Sequence, residues 1–269
     1  MSRYRDKSFI NYVWTIDSMI DRIAIILAAG KGKRMNTDLP KVLHTLNGRP
    51  MVDYVIDNAR KAGYERIVLV VGHKYEQVIE HLRSGNVNFA IQSEQRGTGH
   101  AVKCARDQFY DFEGTVLVLP GDMPLVSSDS IKILTESHLK CKASATVLSV
   151  KLSNPSGYGR IVRDQAGNFL RITEHRDANH DIRKINEINT GVICFDSKAL
   201  CKVLDEIRCE NEQGEYYLTD SIEIFVRWGA KVNAIIADDY REGMGINSID
   251  QLREVENMMR TSETTKKIC

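Results

Sequence analysis

Hydrophobic and polar positions in the first half of the chain predict strands and helices in alternation. Four apolar runs, rich in β-branched residues, have the length and composition of buried strands. The segments between them place apolar residues at helical spacing. Such βαβα alternation predicts a mostly parallel sheet with helices on both faces. The predicted strands are 23–29, 66–71, 89–92 and 115–119, and the predicted helices are 51–62, 75–83 and 99–108.

The second half of the chain is richer in predicted strands and ends in a helix. A capping-box pattern, Ser248-x-x-Gln251, marks the start of that helix at 249–259. Because no linker or repeat interrupts the pattern, we predict one domain over 22–259, with an extension at 1–21 and a tail at 260–269. Its expected fold is a Rossmann-like α/β fold with a mixed, mostly parallel sheet and a β-rich second half. The further strands are predicted at 145–151, 160–163, 169–173, 191–195 and 231–236.

The first predicted strand runs into a basic loop, Ala28-Ala-Gly-Lys-Gly-Lys-Arg-Met35. Glycine lets backbone N–H groups approach phosphate oxygens closely, and Lys31, Lys33 and Arg34 add positive charge. The dinucleotide-binding fingerprint requires a third glycine where Met35 stands, and a Walker loop requires Ser or Thr in place of Arg34. The loop therefore indicates another kind of nucleotide phosphate site or, alternatively, a tight surface turn.

The composition excludes several classes of protein. Hydrophobic residues make up 42% and charged residues 27% of the 269 residues, which is ordinary for a globular protein with a sizeable core. Lys and Arg (37) nearly balance Asp and Glu (36), so no nucleic-acid partner is expected. No apolar run approaches the roughly 20 residues that span a bilayer. The six cysteines form no C-x-x-C pair, which favours a reducing, cytoplasmic location over a disulfide scaffold.

Two oxygen-bearing side chains are candidate ligands for Mg²⁺, which prefers oxygen. Asp122 directly follows the predicted strand at 115–119, and Asn247 precedes the last helix. On the residues alone, Asp122 is equally well explained as a turn residue. Asn247, taken alone, is better explained as a capping residue.

Polar residues further along the chain are candidates for recognising a base and a sugar. The amide of Gln92 both donates and accepts hydrogen bonds, as reading a base edge requires, and Gly97 and Thr98 follow it closely. Glu174 and Asn189 are candidates for holding sugar hydroxyls. The alternatives are that Thr98 caps a helix with His100 on the surface, and that the sugar candidates lie in turns.

Together these segments resemble the uridylyltransferase domain of bacterial N-acetylglucosamine-1-phosphate uridylyltransferases. The resemblance extends from about Arg22 to Met259. The first motif is typical of sugar nucleotidyltransferases in general, whereas the joint order, with E-H-R-D-A and I-N-T-G, is specific to the N-acetylglucosamine branch. The motifs are L27-A-A-G-K-G-K-R-M35, L39-P-K-V-L43, E94-Q-R-G-T-G-H-A101, G121-D-M-P-L125, G157-Y-G-R-I161, E174-H-R-D-A178, I188-N-T-G191, G214-E-Y-Y-L-T-D220 and G245-I-N247.

The resemblance implies a nucleotide-diphospho-sugar transferase fold and an enzyme that uses UTP, a sugar 1-phosphate and Mg²⁺. It implies in-line attack of N-acetylglucosamine 1-phosphate on the α-phosphate of UTP, which gives UDP-N-acetylglucosamine and pyrophosphate. It also assigns roles to residues. The nucleotide would be held by Leu27, Ala28, Ala29 and Gly30, and its uridine by Gln92, Gly97 and Thr98. The phosphates would be contacted by Arg34 and Lys41, and the metal would be held by Asp122 and Asn247. The amino sugar would be held by Gly159, Glu174 and Asn189.

The chain also departs from the family pattern. Arg176 stands where the family commonly has lysine, and Ser248 stands where a second Asn or Asp is common. No hexapeptide-repeat acetyltransferase domain follows the resemblance, so we expect no acetyltransfer, and the oligomeric state stays open. The rival interpretations are a nucleotidyltransferase for another sugar phosphate or nucleotide, a glycosyltransferase, and a non-catalytic nucleotide-binding homologue. The glycosyltransferase would be expected to carry Asp-x-Asp where this chain has Gly-Asp-Met-Pro.

Overall fold

The computed structural model describes residues 21–266, and the side chains of Lys33 and of residues 261–266 lie outside that description. The extension predicted at 1–21 therefore falls outside the described residues except for Asp21. The same holds for residues 267–269 of the predicted tail. Within the described part, no helix is both long enough and apolar enough to cross a membrane.

Strands occur throughout the described residues and include all nine predicted ones. The strands predicted at 66–71, 145–151, 160–163 and 169–173 have the predicted bounds, and most others shift by one or two residues. The strands are β1 (Asp21–Ala28), β2 (Thr45–Leu46), β3 (Arg49–Pro50), β4 (Arg66–Val71), β5 (Asn88–Ile91), β6 (Gly114–Pro120), β7 (Ala145–Lys151), β8 (Arg160–Arg163), β9 (Phe169–Thr173), β10 (Glu187–Asp196) and β11 (Val232–Ile236).

The helices agree less closely with the sequence pattern. The helix predicted at 99–108 ends at Cys104 and is followed by a separate 3-10 turn at Arg106–Gln108, and the last helix continues beyond residue 259. A 14-residue helix after β6 had no counterpart among the predictions. The helices are α1 (Met51–Lys61), α2 (Tyr75–His81), α3 (Thr98–Cys104), α4 (Ser128–Cys141), α5 (His180–Arg183), α6 (Ser197–Val203), α7 (Asp220–Arg227) and α8 (Ile249–Lys266).

One sheet joins the two halves of the chain. Its central path, within the described residues, runs β11-β7-β10-β6-β1-β4-β5, and the β8–β9 pair attaches to β10. Strands β6, β1, β4 and β5 run parallel to one another, and β11 runs parallel to β7, whereas β10 is antiparallel to both β6 and β7. The predicted mixed, mostly parallel α/β architecture is confirmed.

Both faces of the central strand β1 are buried. Ile23 and Ile25 pack into one hydrophobic core and Ala24 and Ile26 into another, because side chains of a strand alternate between the two faces of a sheet. All four are 0% exposed. Helices α3, α6 and α7 contribute to the first core, and α1 and α4 contribute to the second. Because helices cover both faces of the sheet, ligands can reach it at the carboxyl ends of β1, β5 and β6, where ligands bind in such sheets.

Candidate active site

A cavity of about 490 Å³ opens at the carboxyl ends of β1, β5 and β6. The structure brings the predicted site residues together there from segments far apart in the sequence. All of them except Arg34 and Asn247 line the cavity. The predicted residues in its wall are Leu27, Ala28, Ala29, Gly30, Lys41, Gln92, Gly97, Thr98, Asp122, Gly159, Glu174 and Asn189.

The basic loop after β1 packs directly against Lys41. Gly32 has a left-handed conformation (φ +58°), and a Cβ atom there would lie 2.9 Å from Cβ of Lys41. Lys41 begins a 3-10 turn in which Val42 and Leu43 are buried. Glycine at position 32 therefore allows the loop to approach the turn that carries the lysine.

Lys41 joins the two residues predicted to hold a metal. Its Nζ atom forms an ion pair with the carboxylate of Asp122 and donates a hydrogen bond of 2.7 Å to Oδ1 of Asn247. The backbone N–H of Ile246 donates to the Asp122 carbonyl over 3.0 Å, which ties this segment to the turn after β6. Asn247 thus adjoins the cavity through Lys41 although it does not line it.

The cluster of Lys41, Asp122 and Asn247 contains two oxygen ligands of the kind that Mg²⁺ accepts. The described residues contain no group of three or more His, Cys, Asp or Glu side chains that could hold a metal. A metal at this cluster would therefore draw its remaining ligands from substrate phosphates or water, as is common for Mg²⁺.

Arg34 is placed differently from Lys41. Its side chain is exposed on the 3-10 turn Lys33–Met35 and lies outside the wall of the cavity. Its predicted contact with phosphate therefore stays a prediction.

At a second part of the cavity, Gln92 is held by the segment that begins α3. Gln92 is buried, at 3% exposure, and its Nε2 atom lies 3.1 Å from the Gly97 carbonyl oxygen and 3.0 Å from Nδ1 of His100. Thr98 does not cap the helix, because its Oγ1 accepts a hydrogen bond from the backbone N–H of Leu218 over 3.0 Å. His100 contacts Gln92 rather than standing alone on the surface, and neither its residue type nor its position in the sequence predicts a functional role.

Gly97 is required by a close approach of two backbone segments. Its φ is +107°, and a Cβ atom there would lie 2.6 Å from the carbonyl oxygen of Tyr216. The N–H groups of Gly99 and Tyr216 donate to the carbonyls of Tyr216 and Arg96 respectively, over 2.7 and 2.8 Å. This pairing fixes where the Gly97 carbonyl meets Gln92.

Residues from the β-rich half form the third part of the cavity. Oδ1 of Asn189 accepts from the N–H of Gly191 over 2.9 Å, and the Asn189 N–H donates to the Gly159 carbonyl over 2.9 Å. The Asn189 Nδ2 hydrogens have no partner among the described residues. Oε1 of Glu174 accepts from the Thr219 hydroxyl over 3.0 Å.

Carboxylates are concentrated near this third part. Burial raises the pKa of Glu174. Burial, followed by the charge of Glu174, raises the pKa of Asp220 to about 7. Asp220 begins helix α7 and is the last residue of the motif G214-E-Y-Y-L-T-D220, which predicted no role for it. Thr219 lines the cavity and was likewise missed, although it stands in the same motif.

Comparisons with known proteins identify relatives of this chain. The chain is 49% identical over 237 residues to the bifunctional protein GlmU of Clostridium botulinum (strain Loch Maree / Type A3), an alignment that covers 88% of this chain and 52% of the relative. It is 46% identical over 237 residues to the bifunctional protein GlmU of Clostridioides difficile (strain 630), covering 88% and 51%. The chain spans about half the length of the curated relatives it matches.

A family model identifies the fold directly. Residues 24–187, which are more than half of the chain, match the MobA-like NTP transferase domain. The matched range contains most of β1, the basic loop, Lys41, Gln92 and Asp122. The predicted resemblance to nucleotidyltransferases is confirmed, and the chain belongs to the family of MobA-like NTP transferase domains.

Proposed function

We propose that this nucleotidyltransferase forms UDP-N-acetylglucosamine and pyrophosphate from UTP and N-acetylglucosamine 1-phosphate. One observation carries the proposal: a single cavity is lined by Lys41 and Asp122, by Gln92 and Gly97, and by residues of the β-rich half. These are groups suited to phosphates, to a base and to a sugar. The small-molecule substrates are those of a nucleotidyltransferase, and the sequence motifs support their identity.

The reaction requires no general base from the protein. A phosphate monoester has a second pKa of about 6, so the sugar phosphate is largely a dianion at neutral pH. One of its oxygens attacks the α-phosphorus of UTP. A new P–O bond forms, the bond between the α-phosphorus and the bridging oxygen to the β-phosphate breaks, and pyrophosphate leaves. Acceleration must therefore come from positioning and from neutralisation of charge.

Lys41 supplies fixed positive charge in the cavity. Its side chain is 13% exposed, and without a metal its ammonium contacts Asp122 and Asn247, so the charge lies beside the proposed metal site. Arg34, exposed on the neighbouring loop, is proposed as a second phosphate contact.

Asp122 and Asn247 would hold Mg²⁺. Family members generally use a divalent metal. The two side chains fit it because both already direct an oxygen atom to one cation, the Lys41 ammonium. When bound, Mg²⁺ would neutralise negative charge on the phosphates.

The remaining roles follow from the parts of the cavity. Leu27, Ala28, Ala29 and Gly30 are proposed to hold the nucleotide through their backbone, and Gln92, Gly97 and Thr98 to hold the uridine. Gly159, Glu174 and Asn189 are proposed to hold the amino sugar. Cytoplasmic location is also proposed, since the five cysteines of the described part are free and nucleotide substrates are available there.

The first experiment is pyrophosphate release from UTP and Mg²⁺ with three sugar phosphates: N-acetylglucosamine, glucosamine and glucose 1-phosphates. We expect clear preference for the acetylated sugar. Preference for another sugar would overturn the proposed substrate and keep the reaction type. An Asp122→Asn preparation measured in parallel distinguishes this enzyme from contaminating activity, because its rate should be much lower.

A further inference from the structure

The side-chain amide of Gln92 has one possible orientation. A carbonyl oxygen can only accept, so the atom 3.1 Å from the Gly97 carbonyl must be Nε2, which donates. The same Nε2 lies 3.0 Å from Nδ1 of His100. Both hydrogens of Nε2 are therefore committed to the protein. The oxygen Oε1 has no donor among the described residues, and Gln92 lines the cavity, so the amide presents only an acceptor to a ligand.

His100 is placed to complete this arrangement. It lies in the first turn of α3, immediately after the segment in which Arg96 and Gly99 pair with Tyr216 through backbone hydrogen bonds. To accept from Gln92, Nδ1 must carry no hydrogen, so the neutral ring carries its hydrogen on Nε2. That atom lies 3.9 Å from Sγ of Cys104, a weak acceptor one turn further along. The surroundings thus accommodate the tautomer that Gln92 requires.

Resting on the proposed function, we propose that His100 is a positioning residue for base selection. Its Nδ1 atom and the Gly97 carbonyl together hold Gln92 so that only Oε1 faces the nucleotide, and the base must then present an N–H group.

Uracil has an N–H group at the ring position that would face Oε1 of Gln92, and cytosine has none at that position. With N1 bound to ribose, the remaining N–H of uracil is at N3, which donates to Oε1. In cytosine N3 is a bare acceptor, so two acceptors would face each other at that position. A site built around such a hydrogen bond rejects a ligand that lacks the donor, because its buried polar group is left unpaired.

Protonation of His100 would reverse the polarity of its Nδ1. Burial, and then the charge of Arg96, lowers the pKa of His100, so the neutral ring predominates at neutral pH. In acid, an N–H group would face the N–H of Gln92, and the amide would lose its fixed orientation. The groups around His100 are Glu94 and Arg96 on the preceding loop, Lys103 and Cys104 on α3, Gln92 after β5 and Tyr216 on the facing segment.

Equilibrium binding of UTP and CTP by isothermal titration calorimetry tests the proposal in three proteins: wild type, His100→Leu and His100→Asn. Asparagine places its Oδ1 where histidine has Nδ1, so this variant keeps an acceptor for Gln92. We expect wild type and His100→Asn to prefer UTP over CTP. His100→Leu should lose that preference by roughly tenfold, the size of one hydrogen bond to a buried group. Thermal denaturation of each protein checks that it is folded.

The pH dependence separates positioning from a purely structural role. As the pH is lowered from 7.5 through the titration of His100, UTP affinity of wild type should fall more than that of His100→Asn, because asparagine does not titrate. The phosphates of UTP titrate equally in both experiments.

Three results would overturn the proposal: wild type that binds CTP as tightly as UTP, His100→Leu that keeps the preference, or identical pH profiles for wild type and His100→Asn. Turnover is recorded separately. Wild type that selects UTP in binding without releasing pyrophosphate would contradict the proposed reaction, while the loss of selection in His100→Leu would still support the role of His100.

Discussion

The ammonium of Lys41 donates a hydrogen bond of 2.7 Å to the amide oxygen of Asn247, a residue 206 positions further along the chain. The same Nζ atom pairs with the carboxylate of Asp122. The two oxygens proposed as metal ligands therefore share a cation that belongs to the protein. Because a metal ion at the proposed site would need the same oxygens, it would compete with Lys41 for them.

The first prediction concerns the rate. Lys41→Met should lower kcat by roughly 10²–10³, the effect of removing one preorganised charge contact from a transition state. The variant should stay folded, since methionine preserves most of the side-chain volume. Steady-state pyrophosphate release with saturating substrates measures kcat.

Lys140→Met is the matched control for this substitution. Lys140 is an exposed lysine on α4, so the variant loses the same charge away from the cavity. It should turn over at the wild-type rate. Near-normal kcat in Lys41→Met would remove Lys41 from the proposed mechanism.

The second prediction concerns metal binding without substrate. Mg²⁺ should raise the melting temperature of Lys41→Met by a few degrees more than that of wild type, because the variant leaves Asp122 and Asn247 without the competing ammonium. Differential scanning calorimetry in EDTA and in Mg²⁺ measures both shifts. In the double variant Lys41→Met, Asn247→Ala the extra shift should disappear. Equal shifts in wild type and Lys41→Met would show that the two cations do not compete.

The contacts of Lys41 also show what the sequence can and cannot predict. The L-P-K motif identified Lys41, and the strand-end position identified Asp122. That the two side chains meet depends on the packing of segments 81 positions apart. In contrast, the strands of the parallel half could be predicted, because strands buried on both faces are continuous apolar runs.

Strand β10 illustrates a boundary that the sequence obscured. The pattern predicted a strand only at 191–195, because Asn189-Thr-Gly191 is typical of a turn. The strand instead spans Glu187–Asp196, with an irregular register between Asn189 and Ile193. Gly191 has φ +82°, and a Cβ atom there would lie 2.9 Å from Cγ of Pro120. Glycine is needed there for the close packing of β10 against β6.

His100 could not be assigned from sequence for a different reason. Its distance from Gln92 depends on the position of α3 relative to the end of β5. That position is fixed by the backbone hydrogen bond between Gly99 and Tyr216. Neither residue type nor spacing reports such a long-range contact.

The third prediction concerns that pairing. In Gly97→Ala the new Cβ would meet the Tyr216 carbonyl at 2.6 Å, so one segment must move and the Gly97 carbonyl shifts away from Gln92. We expect the KM for UTP to rise roughly tenfold, as loss of one hydrogen bond to a buried group would cause. Initial-rate kinetics with UTP varied measures it.

Gly167→Ala is the control, because it separates backbone strain from the clash. Gly167 also has a positive φ, +84°, but no atom lies within 4 Å of the position a Cβ would take. This variant should lose some stability and keep the wild-type KM for UTP. If Gly97→Ala also kept that KM, the pairing with Tyr216 would have no part in nucleotide binding.

The fourth prediction concerns the pH dependence of stability through Asp220. Its folded-state pKa is about 7, against an ordinary value of 3.8, because burial and the neighbouring Glu174 disfavour the charged form. Between these values the folded state binds a proton that the unfolded state has lost, so this group lowers stability as pH rises from about 4 to 7. Asp220→Asn should therefore stabilise the protein at pH 8 by about 1–2 kcal/mol, after allowance for partial exposure, and should give no gain in stability below pH 4.

Urea denaturation between pH 4 and pH 8 measures the difference in stability between this variant and wild type. The control is Glu136→Gln, which removes an exposed carboxylate on α4 and should show no such pH-dependent gain in stability. A stability difference for Asp220→Asn that is constant with pH would contradict a raised pKa at Asp220.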